Sequence, residues 1–126
     1  MDSRSVPVKI GGKDYNLTLT TLAEHILSKK YGGISEFGTK MFREEDFDLA
    51  LDETAEILVV LANQEIMLRN LDKPDDPEPL LSAERVLLSC TPLELAELRT
   101  AAVQAISLGR QRNVESEKEV GESKNA

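Results

Sequence analysis

The stretch Ile57–Ala62, ILVVLA, is the feature that most limits how this chain can fold. A helix that is apolar on one stripe can lie on a surface, but one that is apolar almost all round has to be surrounded. The run is too short to span a bilayer, which needs about 20 such residues. It therefore predicts the central helix of a domain, and its flanks extend that helix from Phe47 to Leu71. Within those limits Leu51, Ala55, Leu58, Ala62 and Met67 or Leu68 recur near the 3.6-residue period, while Ile57, Val60, Leu61 and Leu71 widen the apolar face. Asp48, Asp52, Glu53 and Glu56 crowd its first half, where negative charge complements the helix dipole.

Upstream, VKIGGKDYNLTLT reads as a hairpin over residues 6–20. Val8 and Ile10 alternate with Lys9, and Tyr15, Leu17 and Leu19 alternate with Asn16, Thr18 and Thr20, around a Gly-Gly turn tolerant of positive φ. A two-stranded hairpin is marginal alone, so helices must cover its apolar face. Thr21 followed by Glu24 has the spacing of a capping box for a helix carrying Leu22, Ile26, Leu27 and Tyr31 and ending at YGG. Ser35 offers an N-cap for a further helix, SEFGTKMFREE. Phe37, Phe42 and Phe47 are expected to anchor the core locally, because aromatics make up only 4% of the chain.

After Leu71 the segment DKPDDPEPL, residues 72–80, holds three prolines and reads as a stiff, acidic, exposed connection. Ser82 caps a short helix, AERVLLSC. Thr91, Pro92 and Glu94 then supply N-cap, first helical residue and box partner for a last helix running through Leu93, Leu95, Leu98, Ala102, Val103, Ala105 and Ile106 to about Leu108, with Gly109 behind it. Residues 110–126 are charged and nearly free of apolar side chains, and are expected to be a disordered tail. The expected architecture is α+β, mainly α: loose residues 1–5, then one domain over 6–109 with the hairpin packed on a bundle of about four to five helices.

Chemistry is sparse. His25 is the sole imidazole and stands mid-helix with no ligand spacing, which suits a surface or structural role better than a metal ligand. Cys90 is the sole thiol. One cysteine makes neither an internal disulfide nor a thiolate cluster, which fits a reducing cytoplasm; paired with His25 it could in principle be a nucleophile, and a small half-buried residue is the plainer reading. Asp46, Asp48, Asp52 and Glu53 could hold a divalent cation through oxygen, Asp48 and Asp52 being one turn apart, or could simply be a solvated acidic face. GGKD lacks Walker spacing. No catalytic residue, cofactor site or metal site is assigned, and the expectation is a non-enzymatic protein. The net charge of −8 opposes binding to nucleic acid or to an anionic membrane, and the N-terminus lacks a signal peptide's apolar stretch.

The order of elements carries a resemblance. VKIGGKDYNLTLTTLAEHILSKKYGG is similar to the opening of the small tail assembly chaperones of long-tailed bacteriophages and prophages. Those proteins begin with a hairpin around Gly-Gly and a helix ending in Gly. ETAEILVVLANQEIM resembles their long apolar helix, LLSAERVLLS their next segment, and PLELAELRTAAVQAISLGRQ their closing helix. The acidic, proline-studded stretch Lys73–Pro79 is longer than that pattern. The resemblance implies a chaperone in the cytoplasm of a bacterial host that coats the tape measure protein, helps recruit tail tube protein and is displaced as the tube forms. It also implies that a frameshifted longer form would extend after Gly109, and self-association is a further possibility. Wide apolar faces suggest a groove for a client helix, with Leu51, Ala55, Leu58, Leu61, Leu95, Leu98, Ala102 and Ile106 as partner-binding candidates; each also suits ordinary core. A small structural virion component, such as a head–tail connector subunit, is the alternative.

Overall fold

A computed structural model describes the backbone of residues 4–32 and 47–125 and the side chains of residues 4–32 and 51–110. The expected helix after Ser35, with Phe37 and Phe42, lies outside the described residues, as do Asp46 and the side chains of Phe47 and Asp48. Two strands and four helices are described: β1 (Ser5–Ile10), β2 (Lys13–Thr18), α1 (Thr21–Tyr31), α2 (Phe47–Asp72), α3 (Ala83–Ser89) and α4 (Pro92–Asn125). The architecture is mainly α with an N-terminal hairpin, as its sequence suggests.

β1 and β2 pair antiparallel with Val6 opposite Leu17, Val8 opposite Tyr15 and Ile10 opposite Lys13. Gly11 and Gly12 form a two-residue turn with φ of 59° and 82°. Positive φ at both central residues matches the right-handed twist of the strands. Register then alternates from the turn, so Pro7 and Lys9 occupy non-hydrogen-bonded positions and direct their backbone toward the outer edge of β1. Pro7 has no N–H to present there, which blunts that edge against further strand pairing. The strand begins at Ser5, one residue earlier than expected, and the Ser5 and Thr18 hydroxyls are 2.8 Å apart across the pair.

The N-cap of α1 is Thr20, not Thr21. The Thr20 hydroxyl accepts from the Ala23 N–H at 3.0 Å and donates to Gln64 Oε1 at 2.5 Å, tying the start of α1 to α2. Glu24 is thereby released from capping and instead accepts from Arg110 at 3.0 Å. Lys30 pairs with Glu56 at the other end of α1, so α1 lies antiparallel to α2. The helix stops at Gly32, whose φ of 83° ends it in the left-handed region while its N–H bonds Ser28 O. Ala23, Leu27 and Tyr31 face inward, whereas Leu22 and Ile26 stay exposed. Burial, with Glu53 nearby, pushes the Tyr31 phenol up to about 12.

α2 is the hub, packing against β2, α1, α3 and α4. Ile57, Leu58 and Leu61 are completely buried, as are Leu17, Leu27 and Val86 from its neighbours. Each such side chain contributes about 1.5–3 kcal/mol relative to exposure. The central-helix expectation for ILVVLA therefore holds.

The partner-binding candidates need correction. Ala55, Leu58, Leu61, Leu95, Leu98, Ala102 and Ile106 are all buried core, and Leu51 is half-buried against it. The stripes of α2 and α4 face one another, and the hairpin and α3 close the remaining sides, so the interior absorbs these residues.

The expected stop at Gly109 is likewise not observed, because the backbone of α4 remains helical to Asn125. Gly109 is buried within the helix, where a Cβ would lie 2.8 Å from Leu19 Cβ. Its role is close approach to the end of β2, not termination.

Candidate interaction surface

The apolar residues left outside the core come from simple helical geometry. In α3 the Ser82 hydroxyl accepts from the Arg85 N–H at 3.1 Å, which fixes the helix start and turns Val86 fully inward. Leu88, two positions on, is about 200° round the helix and so points away from the core; it is 81% exposed, and Leu87 beside it 42%. In α4 the reciprocal box forms as expected: the Thr91 N–H donates to Glu94 Oε1 at 2.8 Å and the Glu94 N–H to Thr91 Oγ1 at 3.1 Å. With the helix phase set, Leu95 and Leu98 turn inward and Leu93 turns out, 71% exposed. Leu68, Leu71 and Leu80 are exposed as well, so six of the exposed large apolar residues fall between positions 68 and 93.

The approach to this surface is held by two asparagines. Asn63 of α2 is buried, and its amide clamps both backbone groups of Leu81: Nδ2 donates to Leu81 O at 2.9 Å and Oδ1 accepts from the Leu81 N–H at 2.8 Å. Asn70, two helical turns on, does the same for Glu78, at 3.1 Å and 2.8 Å. Seven helical residues advance about 10 Å and three extended residues about 10 Å, so the two clamps are in step with the segment they hold. Arg69 reinforces them, with its Nε donating to Glu78 Oε2 at 2.6 Å. The acidic segment 72–80 is thus an exposed but anchored connection.

Glutamates flank the exposed leucines. Glu84 lies one turn before Leu88 and Glu97 one turn after Leu93, on the same helical faces. Within residues 83–97, Arg85 is the one base against three glutamates. The Thr91 backbone and hydroxyl hold the Glu94 carboxyl below the usual glutamate range. Between β1 and the first turns of α4 runs a groove of about 270 Å³, with Val8, Leu98 and Ala101 toward its apolar side and Lys9, Glu94 and Glu97 among its charged lining. Cys90 borders it, half-buried, and burial, with Glu94 nearby, pushes its thiol up, away from the reactive thiolate.

His25 is exposed on α1, distant in sequence and element from Cys90. Among the described residues no group of three or more His, Cys, Asp or Glu side chains could hold a metal ion. Among those residues, too, no helix is long and apolar enough to cross a membrane. Sequence reasoning missed Leu87, Leu88 and Leu93 as surface residues. The signal was present in RVLLSC and TPLEL, where neighbouring apolar residues are too closely spaced for one helical face to take them all.

Comparison with protein-family models, with curated proteins and with solved structures finds no match.

Proposed function

We propose that this chain is a non-enzymatic tail assembly chaperone of a long-tailed bacteriophage or prophage. It acts in the bacterial host cytoplasm to keep the tape measure protein soluble and to help recruit tail tube protein. The observation that carries the reading is a largely helical chain with a net charge of −8 that nevertheless leaves leucines exposed at positions 68, 71, 80, 87, 88 and 93. Exposed apolar side chains suit the capture of a client with exposed helical stripes. The acidic body keeps a coated client from collapsing onto itself. The resemblance in element order supports the same reading.

Co-expression with a tape measure fragment tests it. The expected outcome is a larger soluble fraction of the fragment and its co-purification with this chain; unchanged solubility with no co-purification would count decisively against the proposal. Mass spectrometry of finished virions separates it from a connector subunit, which would be abundant in the mature particle.

A further inference from the structure

The α3–α4 corner narrows what kind of segment can dock. Leu88 and Leu93, 81% and 71% exposed, stand on either side of the Cys90–Thr91 link. The 270 Å³ groove beside that link is smaller than the roughly 300–1,000 Å³ of a small-molecule pocket, and its size suits a single side chain. Val8 and Lys9 of β1 line the groove's other wall; Pro7, next to them in the strand, removes a backbone donor from the β1 edge, and Lys9 adds a charge. Strand addition to that edge is therefore disfavoured, and a helix is the fitting occupant.

Charge selects among helices. Glu84 and Glu97 stand one turn from Leu88 and Leu93, and Glu94 adjoins Leu93; between residues 83 and 97 the one base is Arg85, and Arg99 lies about 240° round α4 from Leu93. A second copy of this chain would bring the same glutamates against them, and an anionic lipid surface would be repelled. We propose that the corner formed by Leu88, Leu93 and the adjoining groove seats an amphipathic helix of another protein whose leucine-type stripe is flanked by lysine or arginine. The inference rests on the chaperone reading and specifies the chemistry of the client segment.

The test uses the full chain and two fluorescein-labelled helical peptides, one of leucine and lysine and one of leucine and glutamate, with leucines at three- and four-residue spacing. Anisotropy should show the lysine peptide binding at least tenfold more tightly than the glutamate peptide. Leu88→Asp with Leu93→Asp should weaken it at least tenfold, whereas Leu22→Asp with Ile26→Asp on the exposed face of α1 should change it less than twofold. Glu84→Lys with Glu97→Lys alters only exposed side chains and should reverse the peptide preference. Equal binding of both peptides, or insensitivity to the corner variants, would overturn the inference. So would loss of self-association in sedimentation velocity as the sole effect of the Leu88 and Leu93 changes. If the wild-type chain solubilises a tape measure fragment but the corner variants do so equally well, the corner fails while the chaperone reading stands.

Discussion

Gly109 shows how one missing methyl decides a packing arrangement. Read alone, a glycine after an apolar stripe marks a helix end. In the fold it lies inside α4, where Leu19 Cβ and Cδ2 would sit 2.8 Å and 3.0 Å from an added Cβ. Alanine would gain about 1 kcal/mol of helix propensity. Overpacking against a Cβ, which no rotamer change can move aside, costs about 1–3 kcal/mol. Gly109→Ala is therefore expected to lower stability by about 1 kcal/mol in urea denaturation. An increase would show that Leu19 yields freely and that the close approach is not required. Gly11 is under the same kind of constraint at the hairpin tip, where Ser89 Cβ would lie 2.9 Å from an added Cβ.

At the scale of elements, caps set helix phase, and phase decides which leucines are buried. Thr91 and Glu94 satisfy one another's backbone N–H groups at the start of α4, and the charge on Glu94 also favours the helix N-terminus. Because the folded state holds the Glu94 carboxyl below its ordinary value of 4.5, its contribution is present above that value. It is lost as pH falls through the lower, folded value. Glu94→Gln is expected to be less stable than the parent at neutral pH and to show a shallower loss in acid, the two converging at low pH. Denaturation midpoints measured from pH 7 to pH 2 check this; parallel curves would mean that ionisation of Glu94 contributes nothing to the cap. The strand-to-helix junction was legible to within one residue. Box spacing to Glu24 favours Thr21 in the sequence, and the bond from Thr20 to Gln64 on α2, at 2.5 Å, accompanies the choice of Thr20 instead.

At the scale of the whole molecule, Asn63 joins the halves of the chain. The last two helices follow a segment rich in proline and carboxylates that has no secondary structure to dock it, yet Leu81 is buried and both its backbone groups are bonded to one side chain. Removing that amide leaves a buried donor and a buried acceptor without it. Asn63→Ala is expected to cost about 2–4 kcal/mol. Asn70→Ala, whose bonds to Glu78 are exposed to water, should cost about 1 kcal/mol or less. Urea midpoints of the two variants measure the difference, and equal losses would show that the buried clamp is no stronger than the exposed one. The ion pairs Lys30–Glu56 and Arg110–Glu24 are half-exposed and contribute little by comparison.

Sequence alone determined the hairpin, the central helix, read as Phe47 to Leu71 and found over Phe47–Asp72, the caps at Ser82 and Thr91 and the break at the prolines. Each of these depends on contacts within a few residues, on local backbone preference or on strong apolar periodicity. It also marked Leu51, Ala55, Leu58, Leu61, Leu95, Leu98, Ala102 and Ile106 as apolar stripes, but periodicity cannot say what a stripe faces. Only the tertiary structure decided that these stripes are satisfied within the chain and that Leu88 and Leu93 are left outside. Only it showed that Gly109 is a packing contact and that Asn63 and Asn70 hold the linker. Those outcomes depend on which faces meet across long sequence separations; the spacing in RVLLSC and TPLEL says that some leucines must stay outside, but not which.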